Sequence, residues 1–349
     1  MREPYLNTRV SAMAEHLIDP DEVTVLCGLS LPELAQRFGL DGLLDASPDR
    51  RAKSRSVKQA LINTLLNELR ILIRPMAAAE AGLVLAWGRK YALFNLKTLL
   101  RGKLYDLNQA EIRANLYELP EHVRLPQQDL FQAEGVLELL RKLEQGPYSL
   151  IAKQGREVFE QKRDPFALEA AIDQRYYTEM ARRLQQVHDS SQPELKQLLG
   201  AVLDRVALMW LLRFRFSYAL SPSETFYQLV PSVSLLHRDR LLTLVNLDSL
   251  EEIVAALPEP LNSALAGSQS LIEVQQRLGG YVTQEARRLL SRGHSGVARS
   301  LAYLILREHG VLMLFALVQG QLLGLPRDLV EIAVEAHPPD CALPLPSAA

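Results

Sequence analysis

The segment NLKTLLRGKLYDLNQAE, from Asn95 to Glu111, encodes two helices joined by a sharp corner. Its first half is an apolar helix ending in Arg101-Gly102-Lys103. Glycine near a helix C-terminus permits the left-handed conformation, and cations there favour the negative end of the helix dipole. Asn108 then caps a new helix, with Glu111 at the third helical position, the spacing of a capping box.

The segment recurs. From Leu208 to Glu224 the chain reads LMWLLRFRFSYALSPSE, and from Met313 to Leu329 it reads MLFALVQGQLLGLPRDL. Leu100-Arg101-x-Lys103 aligns with Leu212-Arg213-x-Arg215 and with Val318-Gln319-x-Gln321. Tyr105-x-Leu107-Asn108-x-x-Glu111 then matches Tyr218-x-Leu220-Ser221-x-x-Glu224 at an offset one residue larger. Ser221 and Glu224 form a second capping box, and Pro222 sits in the first turn, where its missing N–H costs nothing. The third copy keeps Leu325 but puts Pro326 at the cap, so its new helix is expected one residue later. A weaker pair runs in the same order: Leu168-Glu169 followed by Tyr177, and Ile272-Glu273 followed by Tyr281, each preceding Ala-Arg-Arg-Leu (Ala181 to Leu184, Ala286 to Leu289). Repeats set roughly 110 residues apart predict equivalent helix corners around a common axis rather than a solenoid of short units.

Helical periodicity dominates between these segments, and the alternation expected of strands is nearly absent. Pro and Gly punctuation at 42–48, 119–126, 190–193, 257–260 and 293–296 predicts helices of roughly 12 to 25 residues joined by short loops. The expected division is 1–120, 121–235 and 236–335, with 336–349, rich in proline and alanine, as a disordered tail. Of 349 residues, 48% are hydrophobic and 23% charged, and the net charge of −2 leaves any electrostatic partner to a local patch. Two cysteines, Cys27 and Cys341, exclude a disulfide framework and suit a reducing compartment. The charged N-terminus lacks the apolar core of a secretory signal. The most apolar stretch, Val311 to Leu325, is about a turn short of a bilayer span. The helix from Val297 to Val318, apolar nearly all round in its C-terminal half, is expected to be buried on every side.

Catalytic motifs do not emerge. The chain has no Walker-type phosphate loop, no G-x-G-x-x-G and no H-E-x-x-H, and its scattered histidines (His16, His122, His188, His237, His294, His309 and His337) include no i, i+4 pair. Gly293-His294-Ser295-Gly296 lacks nucleophile-elbow spacing, and His188-Asp189-Ser190 reads as a polar loop. Asp173 and Tyr177 share a helix face, where packing on a neighbouring helix with the hydroxyls at the edge is the default. Arg50-Arg51-Ala52-Lys53-Ser54-Arg55, the densest basic cluster, reads as a solvated loop leading into a helix from about Val57. A slightly acidic chain with 6% aromatics argues against nucleic acid. The cations of the corners have a structural reading as dipole partners and a functional one as contacts.

The run WGRKYALFNLKTLLRGK, Trp87 to Lys103, resembles the signature of the C-type subunits of bacterial and archaeal A/V-type ATPases, which are related to the d-type subunits of eukaryotic V-ATPases. Asn7-x-Arg9-Val10-x-Ala12-Met13, Asp173-x-x-Tyr176-Tyr177 and Gly320-x-x-x-Gly324-Leu325-Pro326 follow in the order of that family. Ala92, where the family often has aspartate, and Leu208-Met209 in the second copy depart from the pattern. The resemblance implies an all-α funnel of three pseudo-equivalent helical domains around a pseudo-three-fold axis, with no catalytic site and no cofactor. It also implies a place on the cytoplasmic face of the membrane, peripheral, between the proteolipid rotor ring and the central-stalk shaft subunits of D and F type. Torque passed there couples ATP hydrolysis or synthesis to proton or sodium-ion movement. Arg101, Lys103, Arg213 and Arg215 are the candidate partner contacts under this reading. The alternatives are a generic helical scaffold or adaptor, and an all-α enzyme, which would need convergent titratable residues.

Overall fold

The computed structural model describes residues 2–47, 49–126, 130–187 and 191–335, and among them every regular element is a helix. The segment His188 to Ser190 and the tail from Ala336 lie outside the described residues. The longer helices are α1 (Arg2–Ala14), α2 (Arg50–Ile73), α3 (Ala78–Gly88), α4 (Lys90–Leu104), α5 (Ser149–Lys162), α6 (Pro165–Leu184), α7 (Gln192–Leu212), α8 (Leu271–Arg292), α9 (Gly296–Leu323) and α10 (Arg327–Glu335).

Several boundaries differ from expectation for local reasons. Asp49 accepts a hydrogen bond from the Ala52 amide at 2.8 Å and so starts α2 ahead of the basic cluster. Arg50 to Arg55 are therefore helical, not a loop. The stretch expected as a break at 42–48 is mostly a short helix, Asp41–Ala46, anchored by buried Leu44. Short helices such as Val23–Cys27 and Leu261–Leu265 fall below the expected length range.

Three long rods result. α3 and α4 run almost end to end, interrupted only at Arg89, whose backbone stays in the right-handed region. α7 continues into a π-helical turn, Arg213–Ser217, and α9 is the third rod. Each rod follows a helix of at least twenty residues (α2, α6, α8) and ends in a corner leading to a short helix: Gln109–Ala114, Pro222–Gln228 and α10.

The rods and their partner helices pack in a closed circuit. α6 lies on α3 and α4, α7 lies on α8, and α8 and α2 both lie on α9. One hydrophobic core runs from Leu6 through Trp87, Leu168 and Trp210 to Leu306. Burying each such Leu or aromatic side chain contributes about 1.5–3 kcal/mol, so the three groups are joined through the core rather than touching at polar edges. α1 packs on α9, Leu31–Phe38 packs on α9, and Val23–Cys27 packs on α10. The N-terminal residues thus lie against the last rod, not the first.

α9 is long and apolar enough, by length and composition, to cross a membrane, and is longer than the apolar stretch read from the sequence because it begins at Gly296. About two thirds of its apolar window is buried within the chain, by α1, α2 and α8. Its all-round apolarity reflects the core it crosses.

Candidate functional site

The three corners share one backbone design. A residue just past each rod is left-handed, at equivalent positions: Asp106 (φ 50°), Ala219 (φ 52°) and Gly324 (φ 67°). The next amide, of Leu107, Leu220 or Leu325, turns back and donates to a carbonyl at 2.9 Å, that of Gly102, Phe214 or Gly320. This satisfies a carbonyl that the ending helix leaves without a partner. In the first and third corners the bond spans five residues and in the second it spans six. The π-helical turn at Arg213–Ser217 absorbs that extra residue, which is the one-residue offset seen in the repeat. Both capping boxes form: Glu111 N donates to Asn108 Oδ1 at 2.9 Å, and Glu224 N donates to Ser221 Oγ at 3.2 Å. In the third corner the new helix starts at Arg327, the position equivalent to Gln109 and Pro222, so the later start expected from Pro326 does not occur. The Pro326 carbonyl takes the first-turn bond from the Val330 amide at 3.1 Å.

Gly102 departs from its expected role. It lies within α4, and the left-handed residue is Asp106. The glycine is needed for close approach, because a Cβ there would stand 2.5 Å from Ile112 Cδ1. Gly320 repeats this against Val330 Cγ2 at 2.6 Å.

The signature run is spent largely on contacts within the chain. Lys90, over the Trp87 ring at 4.0 Å, pairs with Glu308 of α9, which also accepts from the Tyr91 hydroxyl. Asn95 pairs both ways with the Tyr117 backbone at 2.8 Å. Lys97 and Arg101, four residues apart on α4, face Asp173 and Glu169, four apart on α6. Lys97 Nζ donates to the Asp173 carboxylate at 2.8 and 3.0 Å, with both side chains buried. The Arg101 guanidinium donates from Nε and Nη2 to the two Glu169 oxygens at 2.6 Å each. That bidentate fork raises the Arg101 pKa further. Asp173 therefore serves an inter-helix ion pair. Tyr176 donates to the Trp87 carbonyl at 3.1 Å, so its hydroxyl is interior rather than at an edge, and Tyr177 packs on Trp210.

The other candidate cations also have partners in the chain. Lys103 Nζ donates to the Phe131 carbonyl at 3.0 Å. Arg213 donates to Gln275 Oε1 at 2.9 Å, and burial pushes its pKa down. Arg215 donates to the Leu220 carbonyl at 3.2 Å and lies 3.5 Å from Asp248.

Polar links close the circuit elsewhere. Glu68 of α2 accepts from Tyr303 at 2.8 Å and pairs with Arg307 on α9. Glu194 of α7 accepts from the His294 and Ser295 amides at 2.9 and 3.0 Å, and Glu3 accepts from Gly296 N, so two carboxylates sit at the positive end of α9. At the convergence of the three rods lies a cavity of about 50 Å³, lined by Trp87 and Lys90, Val202 and Arg205, and Ile305, Glu308 and His309.

What the corners present outward is apolar, a feature that following the charges in the sequence does not bring out. Tyr105 (66% exposed) and Leu107 stand at the first corner, Phe216 and Tyr227 (73%) at the second, and Leu323, Leu325 and Leu329 at the third. The usable signal is the recurrence of large apolar residues beside each cap: Tyr105 and Leu107, Tyr218 and Leu220, and Leu323 and Leu325. The first and third corners expose aligned positions (Tyr105 with Leu323, Leu107 with Leu325), whereas in the second the aligned Tyr218 and Leu220 pack on the core and Phe216 and Tyr227 are exposed instead. Grouped exposed apolar side chains mark interaction surfaces.

The chain is thus a helical body with a shared core, three corners of one backbone design and apolar side chains exposed at each of them. The chain belongs to the family of the ATP synthase (C/AC39) subunit, whose sequence profile matches residues 6–331. It is similar to the C-type subunit of the A-type ATP synthase of Methanosarcina mazei, 22% identical over 336 residues, 94% of this chain and 91% of the relative. It is also similar to the corresponding A-type ATP synthase proteins of Methanocaldococcus jannaschii (22% identical, 76% of this chain and 68% of the relative) and Halorubrum lacusprofundi (24% identical, 72% of each).

Proposed function

We propose that this protein is the non-catalytic central-stalk component of a rotary ATP synthase or V-type ATPase. In this reading it sits peripherally on the cytoplasmic face of the membrane, joins the proteolipid rotor ring to shaft subunits of D and F type, and passes torque between them. The observation that carries the reading is the recurrence of one corner geometry three times, each corner bearing exposed apolar side chains, on rods that pack in a closed circuit.

Torque transfer requires a body that does not shear between its parts. Buried ion pairs and a continuous core across the rods supply that stiffness, since close-packed interiors transmit strain. A pseudo-three-fold funnel divided near 120 and 235 fits the order of the elements. The corners are the proposed contact faces, with Tyr105, Leu107, Phe216 and Leu325 as apolar anchors and the cations Arg101, Lys103, Arg213 and Arg215 behind them.

The test is reconstitution with the rotor ring and shaft subunits of the same complex. Leu107→Glu, Phe216→Glu and Leu325→Glu combined are expected to leave the helical circular-dichroism spectrum unchanged and to abolish co-purification with ring or shaft. Lys103→Glu and Arg215→Glu report on the cations separately. Full retention of both partners by the triple variant would overturn the assignment of the corners.

A further inference from the structure

The basic cluster at the start of α2 is not absorbed by the corners. Arg51 and Arg55 are exposed, lie one turn apart, and among the described residues form no ion pair. They open onto a cavity of about 480 Å³ between α2, α4 and α9, which Lys58 and Arg101 also line and to which no carboxylate among the described residues contributes. A second cavity of about 630 Å³ shares Arg55, Gln59, Leu116 and Tyr117 with it and adds Arg113. Among the described residues Glu118 is the one carboxylate lining the second cavity. Adjoining through these shared residues, the two form a groove lined by five cations, of which Arg101 is already paired with Glu169, on a chain whose net charge is −2.

The apolar part of the groove lining, its floor, is Phe94, Leu107, Leu116, Leu43 and Phe131, and uncharged polar groups such as Gln59, Asn63, Thr98 and Asn115 lie beside it. Its aromatic faces are already taken. Lys58 sits over both Tyr117 and Phe315, at 5.4 and 5.2 Å, Phe94 packs on Tyr117, and Arg113 covers Phe131 at 4.4 Å. Bases would therefore find no open ring to stack on, as single-stranded nucleic acid requires. A free phosphate would leave the apolar floor wet. An acidic polypeptide with interspersed apolar side chains satisfies both surfaces, its carboxylates meeting Arg51 and Arg55 and its apolar residues covering the floor.

We propose that this groove docks an acidic, amphipathic segment of a protein partner. The partner's being another component of the same rotary complex rests on the function proposed above, whereas the groove itself does not. The two can fail separately: an unaltered chain that binds neither ring nor shaft but still binds the peptide counts against the coupling role alone.

The experiment uses the full chain and a fluorescein-labelled peptide of Glu-Glu-Leu-Phe repeats, with fluorescence anisotropy at low and high salt. Expected are saturable binding, weakening at high salt, and a loss of about tenfold or more in Arg51→Glu/Arg55→Glu. The thermal melt of that variant should be unchanged, since neither side chain is buried. A Gln-Gln-Leu-Phe peptide that binds equally well overturns the proposal, as does an unaffected charge-reversal variant. So does binding of inorganic pyrophosphate or a short RNA in place of the peptide, which would make the groove a site for phosphate groups.

Discussion

Gly102 and Ile112 meet so closely that a Cβ on the glycine would stand 2.5 Å from Ile112 Cδ1, and Gly320 and Val330 repeat the relationship at the third corner. The glycines are what allow the short helix to fold back on the rod. In the second corner the π-helical turn and buried Phe214 take that place, and Thr225 of the following short helix is also buried. The same turn in the chain is thus reached by two packing solutions.

Gly102→Ala tests this contact. Alanine improves helix propensity by about 1 kcal/mol, but forcing a methyl group against Ile112 costs about 1–3 kcal/mol. A net destabilisation of up to about 2 kcal/mol is expected in urea unfolding. Combining it with Ile112→Ala should cost clearly less than the sum of the two single changes. Additive effects would show that the two residues do not oppose each other.

The left-handed corner residues predict opposite responses. Gly324 has nothing within 4 Å of a built Cβ, so Gly324→Ala carries only the backbone penalty of about 1–2 kcal/mol. Ala219→Gly removes that penalty but adds unfolded-state entropy, for a net gain of at most about 1 kcal/mol. Melting temperatures moving in the same direction for both variants would contradict the shared corner geometry.

Lys97→Met leaves the Asp173 carboxylate buried without this cation. Breaking a buried pair from one side costs about 3–5 kcal/mol, whereas replacing both partners with apolar residues of similar size is often neutral. Lys97→Met/Asp173→Leu is therefore expected to be more stable than Lys97→Met alone. Arg101→Met, whose side chain is 38% exposed, should cost less than Lys97→Met. Equilibrium denaturation of the three variants checks the order.

Asp204 gives a pH signature of opposite sign to that of a salt-bridged carboxylate. Burial raises its pKa above the ordinary 3.8, opposed by hydrogen bonds from the Leu236 amide, the Ser232 side chain and the Leu235 amide. The folded state therefore holds this proton more tightly than the unfolded state. Its contribution to stability is complete below pH 3.8 and is lost as pH rises through the raised value. The stability of the wild type minus that of Asp204→Asn should fall over that window, measured by urea unfolding at stepped pH. A difference that rises with pH would refute it.

The local part of this architecture was legible because it rests on short-range rules. Asn108 with Glu111 and Ser221 with Glu224 are three residues apart, and each box closes within one turn, so residue types at that spacing suffice to predict it. The shifted offset between Leu212 and Tyr218 was visible as a number, but its meaning as a π-helical turn was not, since insertion sites carry no residue-type signature. Asp49 as the cap of α2 was hidden because the cations after it oppose the helix dipole and resemble a loop. For the site, charge as the contact signal points to Arg101 and Arg213, while Tyr105, Phe216 and Leu325 carry the exposed apolar surface.

From the sequence alone followed an all-helical chain, its three recurring corners, the capping of two of them and the family resemblance of the run from Trp87 to Lys103. These depend on periodicity and on contacts within a turn or two. Only the tertiary structure decided that Lys97 faces Asp173 across 76 residues, that Lys90 reaches Glu308 across 218, and that the N-terminal helix closes against α9. Such pairings are set by which helix faces meet when apolar surface is buried, and burial is a property of the whole chain rather than of any segment of it.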